Sequence, residues 1–405
     1  MRGSLSAIAS AAGSRRGPVI KINQIDSNKR SDVIRFFRVP FPIFAGNPQW
    51  VPPMWGDLSM QLNRKKHPFY EHSDADFFIA VKDGADAGRI AVLENKPYNK
   101  YHNRRVASFF LFETVDDPQV VKALFDTAFD WARRRGLNGM LGPKGFGPLD
   151  GYGMLVDGFE HRQTMMMMAY NHPYYPRLVE ALGFRKEVDF ITCAIPREKF
   201  TFPERVYRLA DKVQKRGTFR VLQFKNNKDM MTWIPKFIVT YNKTFVKNWE
   251  YYPLSDREVN FVVDNITQLI NYDFMKIIAH EDDVVGFVIA FPDVSAALQR
   301  IRGYVPPFSF LDAIPSPWAL IDILREVNRT EWMAVNGAGI LPEYRGLGGN
   351  VLLYTELEKT LNLHHQQFKC GEMCQVAETT KEMRADLINM GGTPYKNHRV
   401  YFREL

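Results

Sequence analysis

Residues 339–361 read GILPEYRGLGGNVLLYTELEKTL, which sets Arg345, Gly346, Gly348 and Gly349 directly before a helical stretch. Leu353, Leu357 and Leu361 recur there at i, i+4 and i+8, one face of a helix. Glycine is poor helix material, but it lets the backbone approach a ligand closely and adopt positive φ. The first turn of a helix leaves its N–H groups without intrahelical partners, and the macrodipole adds partial positive charge there. A strand running into RGLGG and then a helix therefore builds a cradle for a phosphate or pyrophosphate, with Arg345 as a side-chain supplement. The alternative is a glycine-rich turn that merely ends a strand. The strand before and the amphipathic helix after favour the cradle.

Other stretches invite chemistry less. HHQQFKCGEMC (364–374) suggests a metal, yet it reads as a strand, in which Cys370 and Cys374 stand ~13 Å apart at ~3.3 Å per residue. That separation exceeds both one zinc site and the ~7 Å Cα limit of a disulfide, so packing is expected and no metal. TMMMMAY (164–170) could line an apolar tunnel, but ordinary core is the simpler role. FPIFAGNPQWVPPMW (41–55) and YVPPFSFLDAIPSPW (304–318) are aromatic and proline-rich, hence loops that cap the core or wall a groove; the second is a candidate acceptor-side lid. WARRRG (131–136) is a solvated helix end.

The elements that must position the cradle follow from periodicity. Strand signals fall at 19–25, 106–115, 138–143 and 189–195, with a hairpin over 74–95 that turns at DG. A helix covers 118–136 and a helical turn 176–184. The succession then starts again: a strand at 219–224, helices over 229–245 and 256–270, a hairpin over 274–291, a strand at 331–340, the glycine loop with its helix, a strand at 369–378, a helix at 381–391 and a last strand at 399–405. This is a doubled α/β unit with a mixed sheet. The expected division is an extension, disordered or non-native, over 1–18, a first unit over 19–200, a connecting helix over 201–218 and a second unit over 219–405.

Composition sets the outer bounds. The 405 residues are 45% hydrophobic and 24% charged, which suits a globular protein and excludes a disordered one. A formal charge of +8 fits anionic ligands but, over this length, is no nucleic-acid footprint. No apolar run approaches the ~20 residues of a membrane span. Three cysteines (Cys193, Cys370, Cys374) point to a reducing compartment, so a cytoplasmic location is expected.

ILPEYRGLGGN resembles the pyrophosphate loop of the GNAT superfamily of acyl-CoA N-acyltransferases, whose signature is Q/R-x-x-G-x-G/A. Arg345, Gly348 and Asn350 take the signature positions, the asparagine being a departure. GNPQWVPP (46–53) is similar to a segment of bacterial proteins carrying two such units in tandem. The resemblance implies two tandem GNAT-like domains, the second with an intact acyl-CoA loop. Acetyl-CoA or another acyl-CoA would be co-substrate, its pyrophosphate on the amides of Gly346, Leu347, Gly348, Gly349 and Asn350. The pantetheine arm would run along the small-residue strand NGAG (336–339), with backbone contacts from Ile340 and Leu341. In the first unit, Asp117 reads as an N-cap before Pro118, a carboxylate where a phosphate would sit; this half would shape the acceptor groove instead.

Transfer to an amine needs a neutral nitrogen near the thioester and a proton for the leaving thiolate. Aligning Gly391 with the family's N-x-x-A-x-x-x-Y-x-x-x-G puts Thr380 at the asparagine and Leu387 at the tyrosine, so both signature side chains are absent. Glu378 is the candidate base, with a capping role as its alternative. Asn336 could orient a water, and Tyr395 or Tyr401 could supply a phenol. The expected activity is N-acyl transfer to a small-molecule or peptide amine, without nucleic acid. Two rivals stand beside it: a CoA-binding or structural module without turnover, and a transferase drawing on aminoacyl-tRNA, which would show steep salt dependence.

Overall fold

The computed structural model describes residues 19–147, 150–164, 168–199, 202–267, 271–301 and 317–405, without the side chains of 265–267, 317 and 336. The expected extension over 1–18, the centre of the methionine run (165–167) and most of the expected lid (302–316) lie outside the described residues.

Strands of the first half are β1 (Ile20–Gln24), β2 (Asp74–Lys82), β3 (Ala85–Glu94), β4 (Val106–Thr114), β5 (Gly139–Gly142), β6 (Met154–Asp157) and β7 (Arg185–Pro196). Those of the second are β8 (Arg220–Val221), β9 (Met275–His280), β10 (Asp283–Pro292), β11 (Trp332–Ile340), β12 (Cys370–Ala377) and β13 (Thr393–Glu404). Both expected hairpins form. The β2–β3 turn uses Asp83 and Gly84 at φ 51° and 88°, the twist a two-residue hairpin needs.

The thirteen strands of the described residues join one mixed sheet in the order β1-β2-β3-β4-β5-β13-β7-β12-β11-β10-β9-β8, with β6 beside β13. The order reads nearly the same from either end. In each half the fourth strand in chain order runs parallel to the fifth: β4 with β5, and β11 with β12. At the centre the halves exchange partners. β13, the end of the chain, pairs with β5 of the first half, and β7 of the first half pairs with β12 of the second. β13 and β7 are antiparallel neighbours, clamped by two hydrogen bonds from Arg399 to Asp189 (2.8 and 3.0 Å).

Helices cover the two faces. Residues Pro118–Arg134 bury Val120, Leu124, Phe125, Ala128 and Trp131 against the first half of the sheet. Gly349–His364 buries Leu352, Leu353, Leu357 and Leu361 against the second, together with Met333, Val335 and Met373. The segment joining the halves contains the helix Glu204–Arg216, which ends on left-handed Gly217 and buries Ala210 and Val213 in that same core. The expected 229–245 helix is two helices, Asn227–Met231 and Ile234–Thr244, because Pro235 lacks the N–H needed to continue the first.

Candidate functional site

β11 leads into the glycine loop through a single turn, Pro342–Tyr344, which Tyr344 anchors by packing on Phe219 and His280. Gly346 then takes φ +75° with open space where a Cβ would be, so its conformation alone calls for glycine. Gly348 caps the helix at φ +88°, and a Cβ there would sit 2.5 Å from Val213 Cγ2. Its glycine is demanded twice, by conformation and by the connecting helix beneath it.

The amides are the loop's distinctive feature. Within the helix, Val351 and Leu352 donate to the Gly348 carbonyl. Among the described residues, nothing accepts from the N–H groups of Gly346, Leu347, Gly348, Gly349 or Asn350. The helix runs for 16 residues and has no acid in its first turn. Five donors and a positive helix end thus face a half-open loop, an arrangement suited to two phosphates. Arg345 serves the loop's shape: its Nε donates to the Ile340 carbonyl (3.2 Å) and Nη2 to that of Thr244 (3.4 Å). The Leu341 N–H is taken by the Val285 carbonyl (2.9 Å).

The corresponding helix of the first half is shut. Asp117 caps it, accepting from the Gln119 N–H (2.8 Å) and pairing with Lys82. Burial acts to raise the Asp117 pKa, but the hydrogen bonds from Lys82 and the backbone outweigh it and hold the carboxyl below its ordinary value. It is a charge already in place where an anion would bind.

β11 and β12 part beside the open loop. Their parallel pairing runs from Trp332↔Cys370 to Val335↔Met373 and stops. Beyond it β11 bends at Gly337 (φ +120°) and β12 at Gln375 (φ +59°). Residues 336–340 keep β10 on one side and, among the described residues, have no strand on the other. That V-shaped gap exposes an edge to which an extended amide-bearing chain can add.

No family model matches the chain. Over 93% of its length it is 24% identical to Protein YghO of Escherichia coli K12, covering 94% of that protein, and 25% identical to a bacterial ceramide synthase of Caulobacter vibrioides, covering 95%. Among solved structures, a tandem GNAT protein from the clavulanic acid biosynthesis pathway superposes over 95% of this chain and 98% of its own, with a TM-score of 0.54 at 10% identity. A GCN5-related glucosamine N-acetyltransferase region of a fungal multi-domain protein covers 95% of this chain and 38% of its own, with a TM-score of 0.53 at 11% identity. The chain has the tandem GNAT fold.

Set in that fold, the remaining candidates separate. Leu387, at the GNAT tyrosine position, is fully buried in the second core. Glu378 follows β12 and turns toward β7: its Oε2 meets Lys186 Nζ at 2.7 Å and its Oε1 accepts from the Asp189 N–H at 3.1 Å. Asn336 is the first residue of β11 past the last β12 pair, at the base of the V; its side chain lies outside the described residues. Tyr401 donates to Glu180 (2.8 Å), far along β13 from the gap. Tyr395 donates to Glu372, a carboxylate that sequence reasoning passed over. One signal pointed to it: a charged residue between Cys370 and Cys374, on one face of an otherwise apolar strand. Met168, the described end of the methionine run, packs on that face against Ala334 and Cys374.

Proposed function

We propose that this protein is an acyl-CoA-dependent N-acyltransferase, its second half holding the thioester and its first half walling the acceptor groove. The observation that carries this reading is the run of unpartnered amides over 346–350 at the head of a long helix, beside an open strand edge. The pyrophosphate would rest on those N–H groups, and the pantetheine amides would extend β11 along 336–340, as GNAT proteins use their corresponding strand. Asn336, the first residue of β11 past the β12 pairing, would then be the residue to orient a water by the thioester. The acyl group is acetyl or longer, and the acceptor is an amine. One relative is named a ceramide synthase; a ceramide is an N-acylated long-chain amino alcohol, so an amine of that kind is the first acceptor to try. The reaction requires no metal, and a cytoplasmic setting agrees with three cysteines that form no disulfide.

Leu387 favours a second reading, a CoA-binding module without turnover, because no phenol stands at the usual position for protonating the thiolate.

The test is calorimetric binding of acetyl-, octanoyl- and palmitoyl-CoA to wild type and Gly346→Asp. Gly346 has open space and a left-handed φ that aspartate tolerates, so the variant folds and places a carboxylate in the cradle, as Asp117 does in the other half. Wild type should bind one acyl-CoA per chain, and the variant should bind at least tenfold more weakly. Equal affinity in both sinks the reading of the loop. Thiol release with dodecylamine, a C18 2-amino-1,3-diol and glucosamine then separates an enzyme from a module.

A further inference from the structure

Glu372 lies in β12 directly opposite Ala334 of β11, one residue before the two strands separate. Residues paired across parallel strands share a face, so Glu372 points with Ala334 and Cys374 away from the helix Gly349–His364 and into the junction of the halves. There it is 1% exposed. Its Oε1 receives two donors from β13, the Tyr395 hydroxyl and Lys396 Nζ (3.0 Å). Lys396 also donates to the Arg162 carbonyl of the first half (2.8 Å), and Arg162 is ion-paired with Asp293 at 2.5 Å. The other oxygen, Oε2, is buried and has no partner among the described residues.

A buried carboxylate oxygen left bare forgoes a charge-assisted hydrogen bond, a loss that folded proteins rarely carry without a use. Its surroundings supply one. Two donors hold Oε1 and fix the plane of the carboxylate, while Oε2 is buried one pair short of where β11 and β12 part, with the Cys374 thiol as its neighbour on the same face. Burial, and then the adjacent Glu372 charge, push the Tyr395 phenol well above its ordinary range, so it stays a donor. The titratable and charged groups facing the carboxylate are Tyr395 and Lys396 from β13, Arg162 from the first half, Asp293 after β10, and Cys370 and Cys374 on its own strand.

We propose that Glu372 is the catalytic residue that receives the acceptor's ammonium group on Oε2 and takes its proton, with Tyr395 and Lys396 as positioning residues. This rests on the N-acyltransferase reading and names its base. In the step, the ammonium gives one proton to Oε2, and the freed lone pair forms the C–N bond to the thioester carbonyl carbon. The C–S bond breaks with its electrons on sulfur, the nitrogen's second proton goes to that thiolate, and Glu372 then releases its proton to solvent. The site belongs to both halves, since the strand completing the first half's sheet carries the residues that aim the base of the second.

The experiment uses full-length wild type, Glu372→Gln and Tyr395→Phe, with palmitoyl-CoA as donor and, as acceptors, dodecylamine, the C18 aminodiol and glucosamine. Glutamine keeps an oxygen for Tyr395 and Lys396 but cannot take a proton. Glu372→Gln should bind palmitoyl-CoA as wild type does while kcat falls at least 100-fold, the usual scale of a lost general base. Turnover within threefold of wild type overturns the proposal. Tyr395→Phe removes one of the two donors that hold Oε1 and so misaims the carboxylate, and kcat should fall at least tenfold while palmitoyl-CoA binding and its KM stay within threefold of wild type; an unchanged kcat overturns the proposal even where the glutamine variant fails to fold. Wild type that binds palmitoyl-CoA but releases no thiol with any of the three amines overturns it too. Wild type that binds no acyl-CoA instead sinks the function reading beneath it.

Discussion

The contact between Gly348 and Val213 allows the loop to be tested by stability as well as by ligand. Gly348→Ala imposes two separable costs. A non-glycine residue at φ +88° costs ~1–2 kcal/mol, and a methyl placed 2.5 Å from Val213 Cγ2 adds ~1–3 kcal/mol of overpacking. The total is about 2–5 kcal/mol. Val213 is almost fully buried, so Val213→Ala alone costs about 2 kcal/mol in lost burial and cavity. In the double variant the clash is gone, leaving the conformational cost of a left-handed alanine and the cavity, about 3–4 kcal/mol together. The two changes should therefore be non-additive by about 1–3 kcal/mol, in the stabilising sense. Gly346→Ala is the control: nothing lies within 4 Å of its would-be Cβ, so it should lose only the conformational part and show no coupling to Val213.

Urea titrations of these variants and wild type measure this, with a common slope checked before midpoints are compared. The coupling should reach the ligand as well. Val213 is what would force the head of the Gly349–His364 helix to shift in Gly348→Ala, so Val213→Ala should restore part of that variant's lost acyl-CoA affinity. Additivity within about 0.5 kcal/mol, or affinity that does not recover, would refute the account of why this glycine is needed.

Two further outcomes follow from the junction of the halves. Lys144 is fully buried near Glu250 and Asp150, and burial pushes its ammonium down from 10.5 to about 8 despite those acids. Its depressed folded value means the unfolded chain binds the proton more tightly, so below pH 8 the lysine costs up to about 3 kcal/mol, a cost relieved as pH rises from 8 to 10.5. Lys144→Met should raise the urea midpoint at pH 7 and raise it much less at pH 9.5; a gain that is flat or grows with pH contradicts this. Separately, residues 19–200 and 201–405 expressed alone should be insoluble, and co-expressed should form a soluble 1:1 complex, because β13 lies between β5 and β7. A cooperatively melting, monomeric 19–200 fragment would overturn that expectation.

What could be read from the sequence was local. The DG turn, the two hairpins, the amphipathic helices and the glycine loop each carry their physics within a few residues, and each appears where periodicity puts it except the 229–245 helix, which Pro235 divides. β8 shrank to Arg220–Val221, and β13 began at Thr393 rather than 399, because TPYKNH is polar and has a proline that hides its strand character. Partners were the larger gap. Alternation tells that 189–195 and 399–405 are strands, but nothing in either segment says that each completes the sheet of the other half. Glu372 was hidden for the same reason: its neighbours Tyr395 and Lys396 stand more than twenty residues away in the chain, on a strand whose pairing could not be inferred.

The two halves answer the same structural problem in opposite ways. Each bends its fourth strand at a left-handed or otherwise positive-φ residue, Leu111 in β4 and Gly337 in β11, and each then starts a long helix over the sheet. Leucine is strained at φ +45°, and the helix after it is sealed by Asp117 and Lys82; glycine is relaxed at φ +120°, and the helix after it is left with bare amides. Strain and sealing coincide in one half, ease and openness in the other. A duplicated binding function would have kept the second cradle open. Filling it with a carboxylate releases the first half from binding an anion. Two described residues of that half lie on the face of β11 and β12: Arg162 pairs with Asp293, and Met168 packs on Cys374. In the proposed reading, one ligand cradle and one wall, joined by exchanged strands, form a single site from two copies of a fold.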